Sequence, residues 1–166
     1  MSCLLKILTI VPCAQSKIWK KQPKHDPEEA RNAYTGAPFK VNKAFAEKFS
    51  GKPPDRWVIL SAKYGFIEPD FKIENYNVTF KSHFSKPIGI NELKEQASEK
   101  ELEGYELVIA LGGKDYSDKV EQVLGKYSRL LTPSAGLPIG IGMSRIKALT
   151  RLSRDQMLKE IGEKNE

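Results

Sequence analysis

The sequence is poor in the residues that build disulfide frameworks and metal sites. It contains two cysteines, Cys3 and Cys13, and two histidines, His25 and His83. The cysteines show neither a disulfide pattern nor zinc-ligand spacing, and neither histidine has a partner at the spacing that metal sites use. We therefore expect a reducing, cytoplasmic setting, no metal ion and no other cofactor.

Long apolar runs and internal repeats are absent as well. The apolar run near the N-terminus, Ile7 to Cys13, is far shorter than the ~20 residues that a membrane-spanning helix requires. The sequence predicts no signal peptide, no transmembrane segment and no membrane partner. Because 166 residues without a repeat suit one core, we expect a single domain over residues 1–166, with a frayed tail at residues 162–166.

Positive charge is what the sequence has in excess. Lysine and arginine number 27 against 21 aspartates and glutamates, which gives a formal net charge of +6. This balance favours an anionic partner, either a small molecule such as a nucleotide or phosphorylated metabolite, or nucleic acid. Lysines spread over helix surfaces for solubility give the same total, so both interpretations stay open.

Short apolar runs alternate with helical patterns along the chain. The runs are rich in Leu, Ile and Val, which is typical of strands buried on both faces of a parallel sheet. Strands that alternate with helices form βαβ units. The sequence therefore predicts an α/β fold, a single three-layer domain whose central, mostly parallel sheet is covered by helices. The predicted strands are Leu4 to Pro12, Trp57 to Leu60, Leu107 to Leu111 and, more weakly, Ser128 to Thr132.

The helical patterns carry start signals. Asp26 followed by Pro27, Ser117 followed by Asp118, and Ser144 are each expected to cap a helix N-terminus. The predicted helices are Asp26 to Asn32, Phe39 to Phe49, Asn91 to Leu102, Ser117 to Tyr127 and Ser144 to Lys164.

Two segments are harder to assign. The stretch Glu68 to Pro87 has no steady period and is long for a plain connection, so it is either a functional loop or an extra hairpin that packs its aromatic side chains on the core. The run Gly140-Ile141-Gly142 begins like a dinucleotide-binding fingerprint. It lacks the third glycine, which excludes a Rossmann cofactor site.

Polar residues follow each of the three clear strands. Ligands of open α/β sheets bind beyond the carboxyl ends of the strands, because loops and helix N-termini converge there. Each segment combines small residues with a lysine and with hydroxyl, thiol or phenol groups, which suits a polar or anionic ligand. The predicted ligand-binding residues are Cys13, Ser16, Lys17, Tyr34, Ser61, Tyr64, Gly65, Tyr76, Gly112, Gly113 and Tyr116.

The chemical roles within this set differ. Lys17, Lys63 and Lys114 can each place a positive charge against phosphate. The candidates for general acid or base are Glu74 and Asp115 rather than the histidines, although acids in polar loops are usually just solvated. Cys13 is either a nucleophile or, as is commoner for a lone cysteine after an apolar strand, a small buried filler, and both alternatives stay open.

Three motifs of the chain resemble an uncharacterised prokaryotic family, domain-of-unknown-function family 6884. They are Cys13-Ala14-Gln15-Ser16-Lys17, the Tyr-x-x-x-x-Phe segment from Tyr34 to Phe39, and Leu60-Ser61-Ala62-Lys63-Tyr64-Gly65. The segment Ile73 to Thr79 is similar to an acidic-x-Tyr-x-x-Thr segment of that family. More loosely, the Pro-Cys-x-x-x-Lys opening at Pro12 is similar to the core domain of archaeosine synthase, which acts on a modified guanine in transfer RNA. That likeness implies nucleobase or nucleotide chemistry.

Taken together, these features favour an enzyme that binds a nucleotide, nucleoside or nucleobase and acts on the base or the glycosidic bond. Its expected catalytic residues are Lys63, Glu74 and Asp115, with Tyr34 or Tyr64 stacked on the base. The alternative is a non-catalytic nucleic-acid-binding module that grips bases with exposed aromatic side chains, or a scaffold that has lost its activity. The aromatic residues proposed for that grip are Trp19, Tyr34 and Tyr76.

Overall fold

The computed structural model describes residues 5–164. Seven strands and six α-helices alternate along the chain, joined by loops and by short 3₁₀ turns. The strands are β1 (Ile7–Pro12), β2 (Glu28–Glu29), β3 (Arg56–Ser61), β4 (Gly65–Ile67), β5 (Lys72–Ile73), β6 (Leu107–Ala110) and β7 (Arg129–Leu131). The helices are α1 (Ala30–Ala33), α2 (Ala37–Ser50), α3 (Ile90–Glu99), α4 (Lys114–Leu124), α5 (Ile139–Thr150) and α6 (Arg154–Lys164).

Five strands form the central sheet in the order β4-β3-β1-β6-β7. The pairs β1/β3, β1/β6 and β6/β7 are parallel, and the edge strand β4 runs antiparallel to β3. All six residues of β1 are buried, as expected of a central strand with helices on both faces. The four strand segments predicted from apolar runs are therefore confirmed, whereas β4 carried no separate signal. The strands β2 and β5 pair as a second, two-stranded sheet.

Successive residues of β1 face opposite sides of the sheet and bury against different helices. Ile7 and Val11 belong to a core cluster with α2, α5 and α6. Leu8 and Ile10 belong to a second cluster with α3 and α4. This alternation follows from the two-residue period of a strand, and it produces the predicted three-layer α/β architecture.

Four predicted helix boundaries are wrong. The residues after Asp26 first form β2, which pairs with β5 before α1 begins at Ala30. Helix α4 starts at Lys114 after Gly113, so Ser117 lies inside it and donates its hydroxyl to the Lys114 carbonyl, 3.1 Å away. Ser144 likewise lies inside α5, which begins at Ile139.

The predicted C-terminal helix is two helices, and a capping box explains the break. The Gln156 amide nitrogen lies 3.2 Å from the Ser153 hydroxyl, and the Ser153 nitrogen lies 3.1 Å from the Gln156 side-chain oxygen. This reciprocal pair satisfies free N–H groups at the start of α6. The helix runs on to Lys164, and residues 165 and 166 lie outside the described range.

The strand order places a crevice beside β1. The chain leaves β1 for β3 on one side, whereas it leaves β6 for β7 on the other. The loops after β1 and β6 therefore diverge at the carboxyl edge of the sheet, the position where open α/β sheets bind ligands. Within residues 5–164, no helix is both long and apolar enough to cross a membrane.

Candidate functional site

The Cys13 thiol and the Tyr116 hydroxyl meet at this crevice. Cys13 follows β1 directly, and its Sγ lies 3.2 Å from the phenol oxygen of Tyr116 in the first turn of α4. The thiol is free and half-buried, so it packs on the core and still reaches the crevice. Cys3, the other cysteine, lies outside the described residues.

A chain of three buried hydroxyl groups lies on the β3 side of the crevice. The Ser61 hydroxyl donates to the phenol oxygen of Tyr76, 2.9 Å away, and the phenol oxygens of Tyr76 and Tyr34 are 2.6 Å apart. Ser61 also accepts hydrogen bonds from the backbone N–H groups of Lys63 (3.2 Å) and Tyr64 (3.1 Å). Ser61 thus ties the turn after β3 to the long segment that contains Tyr76.

Lys17 lies buried beside this chain, with 7% of its surface exposed. Its Nζ donates to the Gln15 carbonyl, 3.2 Å away, and lies 4.3 Å from the centroid of the Tyr76 ring. A backbone bridge to Tyr34 and a hydrogen bond from the Thr35 N–H to the Ser16 carbonyl hold the loop in this place. None of the salt bridges found in the described part of the chain involves Lys17.

Burial controls the protonation of this cluster. It lowers the pKa of Lys17 from 10.5, an effect that the charge of ionised Cys13 opposes. It raises the pKa values of Tyr34, Tyr76 and Tyr116 far above the ordinary 10.0, and the charge of ionised Cys13 raises them further. All three phenols therefore stay neutral at physiological pH and can donate hydrogen bonds.

A pocket of about 360 Å³ opens above Lys17 and Tyr76. This volume falls within the range of small-molecule sites, which is roughly 300 to 1,000 Å³. The side chains of Gln15, Asn75 and Asn77 line the pocket and are exposed there. Each amide can donate and accept hydrogen bonds, so the pocket offers paired donors and acceptors beside a cation. The remaining lining residues are Trp19 and Lys20.

Lys63, Tyr64 and Glu74 form the rim of the site next to β3. Lys63 is exposed, and its Nζ lies 5.1 Å from the Tyr64 ring centroid and 5.9 Å from that of Tyr76. The Tyr64 hydroxyl accepts a hydrogen bond from the Glu74 backbone N–H, 3.2 Å away. Glu74 itself is exposed, with Asn75 of the pocket as its neighbour in the chain.

Gly112, Gly113 and Asp115 lie on the β6 side of the crevice. Gly112 has a φ of +94°, and a Cβ added there would approach Cγ of Pro12 to 2.5 Å, so the position requires glycine. Its backbone N–H and carbonyl both bond to the Ser134 hydroxyl, at 3.2 Å and 3.1 Å. Gly113 precedes the first residue of α4, and Asp115 is exposed in the first turn of that helix.

Gly65 stands apart from the crevice. It has a φ of +78° and begins β4, and a Cβ there would collide with the Gln96 side chain. Gln96 in turn accepts the Phe66 N–H and donates to the Tyr64 carbonyl. The glycine therefore makes room for a side chain that fastens α3 to the sheet edge.

The structure corrects one feature of the binding-module alternative. Trp19, Tyr34 and Tyr76 are 5%, 2% and 8% exposed, so none of them is a surface aromatic free to grip a base. For the same reason Tyr34 cannot be the base-stacking ring, because Lys17 and Phe39 contact it. Tyr64 is half-buried on the rim and keeps that possibility.

Sequence reasoning missed Ser134, Asn75 and Asn77. Ser134 follows β7, so the rule used for the three clear strands finds it when applied to the fourth. The two asparagines flank Tyr76 in the irregular segment, where alternating polar and aromatic residues were the available signal. Among residues 5–164, no cluster of three or more His, Cys, Asp or Glu could hold a metal ion.

Comparison with known proteins identifies relatives without an assigned activity. A curated relative, the uncharacterized protein YfjM of Bacillus subtilis (strain 168), is 36% identical over 148 residues, which is 89% of this chain and 95% of the relative. No solved structure matches the chain. The looser likeness to archaeosine synthase gains no support from these matches and stays a prediction. The family model described as "Family of unknown function (DUF6884)" matches residues 8–148, and the chain therefore belongs to this family.

Proposed function

We propose that the protein is an enzyme that binds a nucleotide, nucleoside or nucleobase, free or within nucleic acid, and acts on its base or glycosidic bond. The observation that carries this proposal is the buried ammonium of Lys17 at the floor of a ligand-sized pocket. The pocket lies where the strand order of the sheet opens a crevice.

The surroundings of Lys17 favour an anionic ligand. An ammonium has three N–H donors, and the Gln15 carbonyl uses one of them. Burying a charge is costly unless it is paired, and the face of the Tyr76 ring compensates the cation only in part. A phosphate or another anionic group seated in the pocket would complete this pairing.

The amides around the pocket favour a heterocyclic base as the second part of the ligand. Asn and Gln side chains match base edges, because both carry adjacent donor and acceptor groups. Gln15, Asn75 and Asn77 supply three such groups around one pocket. In this arrangement Lys17 binds the anionic part, and the exposed Lys63 binds or polarises it from the rim.

The remaining predicted residues divide into contacting and supporting roles. Ser16 is half-buried and its hydroxyl can orient the ligand, whereas Ser61 is 0% exposed and acts by holding Tyr76. Glu74 and Asp115 are the candidate proton carriers. Glu74 is the better placed, since the residue after it lines the pocket.

A thermal-shift screen tests the proposal. Nucleobases, nucleosides, nucleotides and sugar phosphates are added to wild type, Lys17→Met, Lys63→Ala and the control Lys40→Met, which removes an exposed charge from α2. A ligand at 100 times its Kd stabilises by ~2.7 kcal/mol, a shift of about 5 to 10 °C for a chain of this size. We expect one ligand class to stabilise wild type and Lys40→Met, and to lose this effect in Lys17→Met.

The two outcomes differ clearly. Stabilisation that persists in Lys17→Met places the ligand elsewhere and contradicts the proposed pocket. Lys63→Ala supplies a second variant because its side chain is exposed and its removal leaves the fold intact. Stabilisation by polymers alone, lost as salt rises, would favour the binding module, and no stabilisation by any compound would favour the scaffold.

A further inference from the structure

The residues from Thr79 to Lys86 form a compact loop, here called the aromatic loop. The Ser85 hydroxyl oxygen lies 2.7 Å from the Ser82 carbonyl oxygen and 3.1 Å from the Thr79 nitrogen. Backbone hydrogen bonds from Ser85 to Ser82 and from Lys86 to His83 close two turns. The loop is therefore held by its own polar contacts, so it presents its other side chains in fixed positions.

The aromatic loop packs against the candidate site. The Phe80 ring centroid lies 5.5 Å from that of Tyr116, edge to face, and Tyr116 contacts Cys13. The Nζ of Lys119 lies 4.7 Å from the centroid of Phe80 on the same side. The loop thus forms the wall of the crevice on the α4 side, opposite the residues after β3.

The tip of the aromatic loop presents Phe84 to solvent. Phe84 is 85% exposed, and the His83 ring lies 4.2 Å from it at an interplanar angle of 32°. Phenylalanine is normally a core residue, and here the loop contacts hold it outward although nothing in the described chain covers it. A flat apolar ring displayed in this way suits stacking against another flat ring.

The charges around Phe84 are of one sign. From Asn75 to Asn91 the sequence contains no acidic residue, whereas it contains Lys81, Lys86 and His83. Lys81 and Lys86 are exposed on either side of Phe84, and Lys119 lies over Phe80 behind them. The surface therefore combines a displayed ring with cations at the positions flanking it.

We propose that the aromatic loop binds single-stranded nucleic acid, with Phe84 stacked on an unpaired base and Lys81, Lys86 and Lys119 against backbone phosphates. Stacking platforms flanked by basic residues are the general solution for binding single strands. Joined to the proposed function, on which this part rests, the loop implies that the nucleotide entering the crevice belongs to a strand. An anionic membrane would also attract lysines and a phenylalanine, but the continuity with a base-sized pocket favours a strand.

Fluorescence anisotropy with a short, labelled, mixed-sequence single strand tests the proposal. We expect Phe84→Ala to weaken binding roughly tenfold and Phe84→Trp to retain it. The matched control is Tyr127→Ala, which removes another exposed aromatic ring that has a lysine beside it. Tyr127 follows the far end of α4, roughly 16 Å from the crevice along the helix, so its removal should leave binding unchanged.

Salt dependence supplies the second measurement. Replacing Lys81 and Lys86 by glutamine should reduce the slope of log affinity against log salt by about two, one for each lost phosphate contact. The proposal fails if Phe84→Ala binds the strand as wild type does, or if Tyr127→Ala weakens it equally. It fails too if vesicles of anionic lipid bind in a Phe84-dependent way while the strand does not bind.

This test separates the loop from the pocket. Strand binding that needs Phe84, combined with no Lys17-dependent stabilisation by nucleotides, would uphold the loop and contradict the pocket. Nucleotide stabilisation that needs Lys17, combined with no strand binding, would contradict the loop and uphold the pocket. Because Phe84 is exposed, its replacement should leave the melting temperature unchanged, and the binding result then reports the surface itself.

Discussion

Replacing Ser61 by alanine should destabilise the protein far more than the loss of one hydroxyl group suggests. Ser61 is 0% exposed, and its oxygen takes part in three hydrogen bonds, donated by the N–H groups of Lys63 and Tyr64 and donated to Tyr76. Alanine leaves both backbone N–H groups without this acceptor, and it deprives the Tyr76 phenol of a donor. A buried group left unsatisfied costs roughly 1 to 3 kcal/mol.

The expected loss is about 2 to 3 kcal/mol in the free energy of unfolding, because the turn that holds Lys63 is partly exposed and water can satisfy one N–H group. For a chain of this length that loss lowers the melting temperature by about 4 to 12 °C. Urea denaturation followed by circular dichroism measures it directly. The unfolding slope against urea should not change, since the substitution alters stability and not the surface exposed on unfolding.

Ser117→Ala is the matched control. Ser117 is 4% exposed and belongs to α4, and its hydroxyl makes one hydrogen bond, to the Lys114 carbonyl. No backbone N–H depends on it, so the expected cost is less than about 1 kcal/mol. If Ser61→Ala costs no more than Ser117→Ala, the Ser61 network does not hold the turn after β3, and the reasoning given for the site is refuted.

Two further predictions concern the crevice. Gly112→Ala should cost about 2 to 4 kcal/mol in urea denaturation, because Gly112 has a φ of +94° and its added Cβ would meet the Pro12 ring; Gly113→Ala, with open space at that position, should cost less than about 1 kcal/mol, and equal costs would contradict the argument. The raised pKa values of Tyr34, Tyr76 and Tyr116 mean that the folded chain keeps protons that the unfolded chain releases above pH 10.0. Their contribution to stability is therefore complete below pH 10.0 and is lost as the pH rises above it, so tyrosinate absorbance should show half of the six tyrosines ionising only with unfolding. Six tyrosines that ionise together near pH 10 in the folded protein would exclude these burials.

Local patterns predicted the elements whose signals lie within a few residues. The apolar runs at Ile7 to Pro12 and at Arg56 to Ser61 marked strands buried on both faces, because only a helix-covered sheet hides such runs. The helix starts were predicted less well. Ser117 and Ser144 match the chemistry of a cap, yet packing against the sheet extends each helix past them. The capping box at Ser153 was readable, and it was overlooked within a long helical pattern.

The sequence by itself determined the class of the fold and the three segments that meet at its functional edge. Strand composition and the residues that follow each strand are local properties, and the position of those residues at the carboxyl edge follows from parallel strand direction. Cys13, Ser61 and Tyr116 were found in this way before any distance between them was known.

The tertiary structure alone decided which of those residues touch and which face solvent. Tyr34 and Tyr76 are separated by 42 residues and share a hydrogen bond, whereas Phe84, equally aromatic, is displayed at a loop tip. Contacts across such separations depend on the strand order and on how an irregular segment closes over the sheet. Neither leaves a periodic signal in the chain, because both are set by packing between residues that are distant in sequence.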